Sequence, residues 1–161
     1  MDLNIYDEIQ SMTSYLKLSI TSQEIAQFCA DKVLNDEQIQ AIADFLNHMK
    51  DLRHTHLVEM LTTMSRIPSR EPKTFENFDF SRIHGKNVDA LKNLSSLSTL
   101  YAHKNLAFIG PQGVGKTHLA MAYGRLCFEN EYKSYFLKAT ELNQKFTEAR
   151  RQGRESAIIN A

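Results

Sequence analysis

Cysteine, proline and glycine are all scarce in this chain of 161 residues, and the charges cancel to a net of zero. Each scarcity excludes something. The two cysteines, Cys29 and Cys127, sit at apolar helical positions without metal-type spacing. They read as reduced core thiols rather than as a disulfide framework. Few glycines and prolines, with no low-complexity tract, exclude a fibrous or disordered chain. No apolar run approaches the roughly 20 residues of a membrane-spanning helix. Met1-Asp2-Leu3-Asn4 opens without a basic region or an apolar stretch, so no secretory signal is expected and the cytoplasm is the expected compartment. The length suits one domain with an accessory piece, or part of something larger.

The zero net charge conceals a polarity. Residues 1–46 hold eight acids against two lysines, a net of −6, so the remainder carries +6. An acidic front and a basic back suit a protein that docks another protein at one end and meets nucleic acid at the other. Helix surfaces that simply need charge account for it equally well.

Residues 1–67 read as helix throughout, an all-helical N-terminal domain. Ile5, Ile9, Met12 and Leu16 recur at helical spacing. Thr21 and Glu24 form a capping box that opens a second helix carrying Ile25, Phe28 and Cys29. Asn35-Asp36-Glu37-Gln38 opens a third, with Ile39, Ile42, Ala43, Leu46 and Met49 on one stripe, running on until Pro68 stops it. His48, His54 and His56 read as a titratable helix surface, because residues 54 and 56 do not share a face. Ile67 to Lys73 is an extended linker. The aromatics Phe75, Phe78 and Phe80 follow it in an irregular arm, which either fills a seam or borders a ligand pocket. Asn87 to Tyr101 reads as one helix.

The chemistry is concentrated after it. Leu106 to Ile109 is a short apolar run of strand type. Gly110-Pro111-Gln112-Gly113-Val114-Gly115-Lys116-Thr117 then matches the G-x-x-x-x-G-K-[ST] phosphate-binding loop, between that run and a helix from about Lys116 to Glu129. A polyphosphate is held most easily by backbone N–H groups converging at a helix N-terminus. Glycines at 110, 113 and 115 let the backbone curl tightly, Lys116 brings a mobile charge to the β- and γ-phosphates, and the Thr117 hydroxyl is placed for Mg²⁺. Ser134 to Leu137 reads as a second strand, and Thr140 as the cap of a helix to about Arg151, ending near Gly153. Ser156 to Ala161 reads as the start of a further element.

The loop and its flanks, from Phe108 to Ala120, resemble the IstB-like ATP-binding family, the helper ATPases of insertion-sequence transposases and relatives of DnaC-type helicase loaders. Ile67-Pro68 with Lys73-Thr74-Phe75-Glu76-Asn77-Phe78-Asp79 is similar to that family's pre-domain motif. Thr140-Glu141-Leu142 and Glu148-Ala149-Arg150 with Gly153 fit its next helix. The resemblance covers residues 66–161. It implies an α/β fold: residues 68–161 would be the first part of a P-loop AAA+ three-layer α/β domain. It implies ATP and Mg²⁺ at Gly110 to Thr117, with His118 following as a family feature to which the sequence assigns no role. It also implies duplex DNA as a substrate surface, ATP-dependent homo-oligomers, and a transposase or replicative helicase as partner of the N-terminal domain. Lys145, Arg150, Arg151 and Arg154 form a basic helix end that either meets phosphates or is merely solvated.

No apolar strand ending in adjacent acids follows the loop, and the family places its water-positioning residues there. The expectation is therefore a chain, best read as a truncated frame or fragment, that binds ATP without hydrolysing it. Its two strands would not be neighbours in the parent sheet, leaving open edges and a marginal fold over residues 100–161. The alternatives are a helicase loader, or an interaction module with a vestigial nucleotide site.

Overall fold

The computed structural model describes residues 4–85, 87–154 and 156. The chain divides into two compact units, Met1–Glu59 and Met60–Ala161. The expected element at Ser156 to Ala161 lies, apart from Ser156, outside the described residues.

The first unit is helical. α1 (Ile5–Tyr15) is capped by Asn4, whose side chain accepts from the Tyr6 amide. α2 (Ser22–Asp31) starts with the capping box at Thr21 and Glu24. α3 (Asp36–Ser65) starts with a reciprocal pair in which Gln38 N–H donates to Asn35 Oδ1 and Asn35 N–H to Gln38 Oε1. Each device satisfies amides that a first helical turn leaves without partners. Ile9, Met12, Ile25, Cys29, Ile39 and Ala43 form the core, with Ile42 and Leu46 packed beside it. Full burial of each larger aliphatic side chain stabilises by about 1.5–3 kcal/mol. Arg53 ties α3 to the end of α1 by donating to the Leu16 carbonyl at 3.1 Å.

The second unit begins in the last turns of α3. Its buried residues include Leu61, Leu94, Leu97, Leu119, Ala122, Phe128 and Ala149. The single helix expected over Asn87 to Tyr101 is broken into α4 (Val88–Lys92), a 3-10 turn (Asn93–Ser96) and α5 (Ser98–Tyr101). The break is at Leu97, whose φ of +54° places it in the left-handed region while its side chain is buried. α6 (Lys116–Glu129) and α7 (Ala139–Arg151) follow. α7 is preceded by Lys138 rather than capped by Thr140.

The expected α/β architecture is overturned. Among the described residues there is no strand, and the fold is all-helical. The physical reason lies in pairing. A strand is defined by a ladder of N–H and C=O partners along its edge. Neither apolar run finds one: Ile109 is 94% exposed, and the bond tying Ser134 to Leu137 down through the backbone runs from Phe136 N–H to the carbonyl of Ser65 on a helix. Sequence composition made these segments strand-like; without a neighbouring edge they remain extended connectors.

Helix ends share a device. At Lys17, Val33, His103 and Glu131 the residue beyond the cap takes a φ between 51° and 66°, and Gly153 does so at 62°. In each case the following amide reaches back five residues, as Leu18 N–H does to Thr13 O. This is the Schellman closure, and only one of the five uses glycine.

Candidate functional site

The site is assembled where the connector 106–109 turns into α6. Gly113 has φ +85°, and Gly115, immediately before α6, has φ +87°. Both conformations suit glycine and strain other residues. The Val114 amide closes a turn at Gln112–Gly113 onto Pro111, while among the described residues the amides of Gly113, Gly115, Lys116 and Thr117 have no protein acceptor. Gly110, Pro111, Gln112, Gly113, Val114 and Thr117 are exposed, while Gly115, Lys116 and His118 are half-buried. A Cβ added at Gly113 would meet nothing within 4 Å, so there is open space in front of the loop.

Lys116 folds back over its own loop. Its ammonium donates to the carbonyls of Gly110 at 2.9 Å and Pro111 at 2.5 Å. The cation thus sits on the loop whose amides at 113, 115, 116 and 117 have no protein acceptor among the described residues. A polyanion with several acceptor oxygens is the ligand such a donor set fits. Thr117, on the first turn of α6, has an exposed hydroxyl suited to a hard divalent cation carried in with that anion.

His118 points elsewhere. Its Nε2 lies 2.9 Å from the Thr74 carbonyl. Its ring meets that of Phe78 edge-on, with centroids 5.1 Å apart. Phe78 also covers Gly115: a Cβ there would lie 2.5 Å from Phe78 Cε2. The aromatic arm therefore rests against the base of the loop, a contact that the sequence pattern did not reveal. The spacing of Phe78 from His118 offers no periodicity to read; the only signal was a cluster of rings with no helical home.

The arm is itself braced. Thr74 N–H donates to Asn77 Oδ1 and Asn77 N–H to Thr74 Oγ1, while Asn77 Nδ2 reaches the Pro72 carbonyl at 2.6 Å. Asp79 accepts from the hydroxyl and amide of Ser81 and pairs with Arg82 at 2.8 Å. The Ser81 hydroxyl, then its amide, and Arg82 hold the Asp79 carboxyl below the usual carboxylate range. Glu76 is lowered by the Thr74 hydroxyl and then by its own amide. Phe78 and Phe80 stack edge-to-face at 4.8 Å.

Residues 14–161 match the sequence pattern of the family described as IstB-like ATP binding protein. The chain belongs to that family. Its relatives include the proposed ATP-binding protein of insertion sequence IS232 from Bacillus thuringiensis subsp. berliner, 29% identical over 94% of this chain. The corresponding IS5376 protein of Geobacillus stearothermophilus is 33% identical over 60% of the chain, and that of IS21 in Pseudomonas aeruginosa is 29% identical over 91%. The chain spans 60%, 38% and 55% of these three relatives respectively. Among the described residues no helix is long and apolar enough to cross a membrane.

Of the four basic residues read as either meeting phosphates or merely solvated, two lie at a cleft of about 860 Å³. Lys145 and Arg154 line it together with Met64, Tyr135, Leu137 and Leu142. Arg150 and Arg151 fall in the last turn of α7, where cations interact favourably with the negative end of the helix dipole.

Proposed function

We propose that this chain is an ATP-binding helper of DNA transposition, holding ATP·Mg²⁺ at Gly110 to Thr117. The observation that carries the reading is the loop itself: two left-handed glycines, four amides without protein acceptors among the described residues, and the Lys116 ammonium folded back onto the loop from the start of α6. The amides and Lys116 hold the phosphates, and Thr117 contributes its hydroxyl to the metal. When bound, Mg²⁺ neutralises phosphate charge and fixes the oxygens in one arrangement. Membership of the family and the insertion-sequence names of the relatives favour transposition over helicase loading.

A transposase is the partner, engaged through residues 1–67. Residues 68–161 are the nucleotide-binding part, and duplex DNA and ATP-dependent self-association follow from the same reading. Hydrolysis requires a positioned water and charge compensation beyond the loop. No apolar run ending in adjacent acids follows Thr117 in these 161 residues.

Titration of ATP·Mg²⁺ into the wild type and Lys116→Ala, by calorimetry, tests the site. Clear weakening in the variant is expected, and equal affinity removes the site assignment.

A further inference from the structure

The geometry points to a second role inside the site: His118 and Phe78 are positioning residues, and the 74–80 arm is the backstop that holds the phosphate loop in its anion-binding shape. The inference rests on the nucleotide-binding reading of the loop and adds to it the element that keeps the loop ready.

The loop's own ties are local: the turn at Gln112–Gly113 and the Lys116 ammonium on the Gly110 and Pro111 carbonyls, with residues Gly110 to Val114 exposed. Gly115 sets the direction in which the last loop amides point, because its left-handed turn joins loop to helix. Glycine alone does not enforce that turn; it merely permits it. Enforcement comes from outside. The Phe78 ring lies against Gly115, and it meets the rings of both His118 and Phe80 edge-to-face. His118 also fastens α6 to the arm through the Thr74 carbonyl. Gly115 and His118 lie three residues apart on the same turn, so the arm grips the helix start at two points. The arm can serve as a stop because its own turn is closed by Asn77 and by the Asp79 contacts.

The consequence is a coupling between arm and ligand. Nucleotide affinity depends on residues that touch no phosphate. Loss of the His118 bond lets the first turn of α6 rotate, and the amides must then be reordered when the nucleotide binds.

The test uses the full chain with ATP·Mg²⁺ as the probe, and compares wild type, His118→Ala, His118→Gln, Phe78→Leu and Lys116→Ala. One net hydrogen bond corresponds to about a threefold to tenfold change in affinity. His118→Ala and Phe78→Leu are expected to weaken binding by about that factor. His118→Gln, which keeps a donor toward Thr74, is expected to recover most of the loss. Amide exchange in the nucleotide-free protein is expected to rise over residues 110–119 in His118→Ala while α1 and α2 are unchanged, which a general loss of stability would not produce. Wild-type affinity together with unchanged loop exchange in His118→Ala overturns the backstop and leaves the site reading intact if Lys116→Ala still binds weakly. Absence of ATP binding by the wild type overturns both.

Discussion

The carbonyl of Ser65 accepts the amide of Phe136 at 2.7 Å, so the last residue of α3 anchors the connector before α7. Ser65 is fully buried. Its hydroxyl donates to the Thr62 carbonyl and accepts from the Ile67 amide at 3.1 Å. Ser65→Ala preserves the backbone bond and leaves the Ile67 amide without that partner. A destabilisation of about 1–3 kcal/mol is expected, measured by denaturant unfolding. A midpoint equal to wild type would show that water reaches the orphaned amide.

Val33 closes α2 with φ +53° and an 86% exposed side chain. A β-branched residue in the left-handed region carries strain of about 1–2 kcal/mol, and exposure means that no packing offsets it. Val33→Asn is expected to stabilise the chain by about 1 kcal/mol. Val33→Gly should gain less, because glycine also enlarges the freedom of the unfolded chain. Thermal melts of the two variants check the order; an unchanged or lower melting temperature for the asparagine variant refutes it.

Glu24 responds to acid in a predictable direction. Its carboxylate accepts from the Thr21 amide and the Thr21 hydroxyl, both at 2.8 Å. The amide first and the hydroxyl second lower its pKa from the ordinary value. A group with a depressed folded-state pKa stabilises above its unfolded pKa of about 4.3, and that contribution is lost as pH falls through the folded value. Glu24→Gln keeps the acceptor and cannot titrate. The stability difference between wild type and this variant should therefore be largest near neutrality and shrink in acid. A difference independent of pH would show that the charge of Glu24 contributes nothing.

Gly113 and Gly115 share a conformation and differ in surroundings. A methyl group at 113 enters open space, whereas at 115 it meets the Phe78 ring. Gly113→Ala should cost only left-handed strain, about 1 kcal/mol. Gly115→Ala should cost more, and the excess should shrink in a Phe78→Leu background. Additive effects in that double-mutant comparison would mean that the ring yields freely.

Much of the helical half was legible. The Thr21–Glu24 box and the Asn35–Gln38 pair are local signals, decided within four residues, and both helices begin where those signals place them. The span Lys116 to Glu129 was legible for the same reason, since the glycine turn fixes its start. Less visible were the breaks and ends at Leu97, Val33 and His103, because residues with side chains occupy a conformation normally signalled by glycine. The strand reading of Leu106 to Ile109 and Ser134 to Leu137 failed because composition reports suitability for a sheet, while a sheet also needs an adjacent edge. At the site, the loop pattern was readable and its brace was not. The contacts of His118 with Thr74 and Phe78 join residues 40 or more positions apart in an irregular arm, and no local rule connects them.

Lys116 gives the loop a resting state. Its ammonium is settled on two carbonyl dipoles. A visiting solute must attract the lysine more strongly than those dipoles do. Singly charged ions such as chloride or acetate offer little advantage, while a crowded, multiply charged phosphate chain offers a great deal. On the proposed reading, the corner would then discriminate by charge density before shape enters.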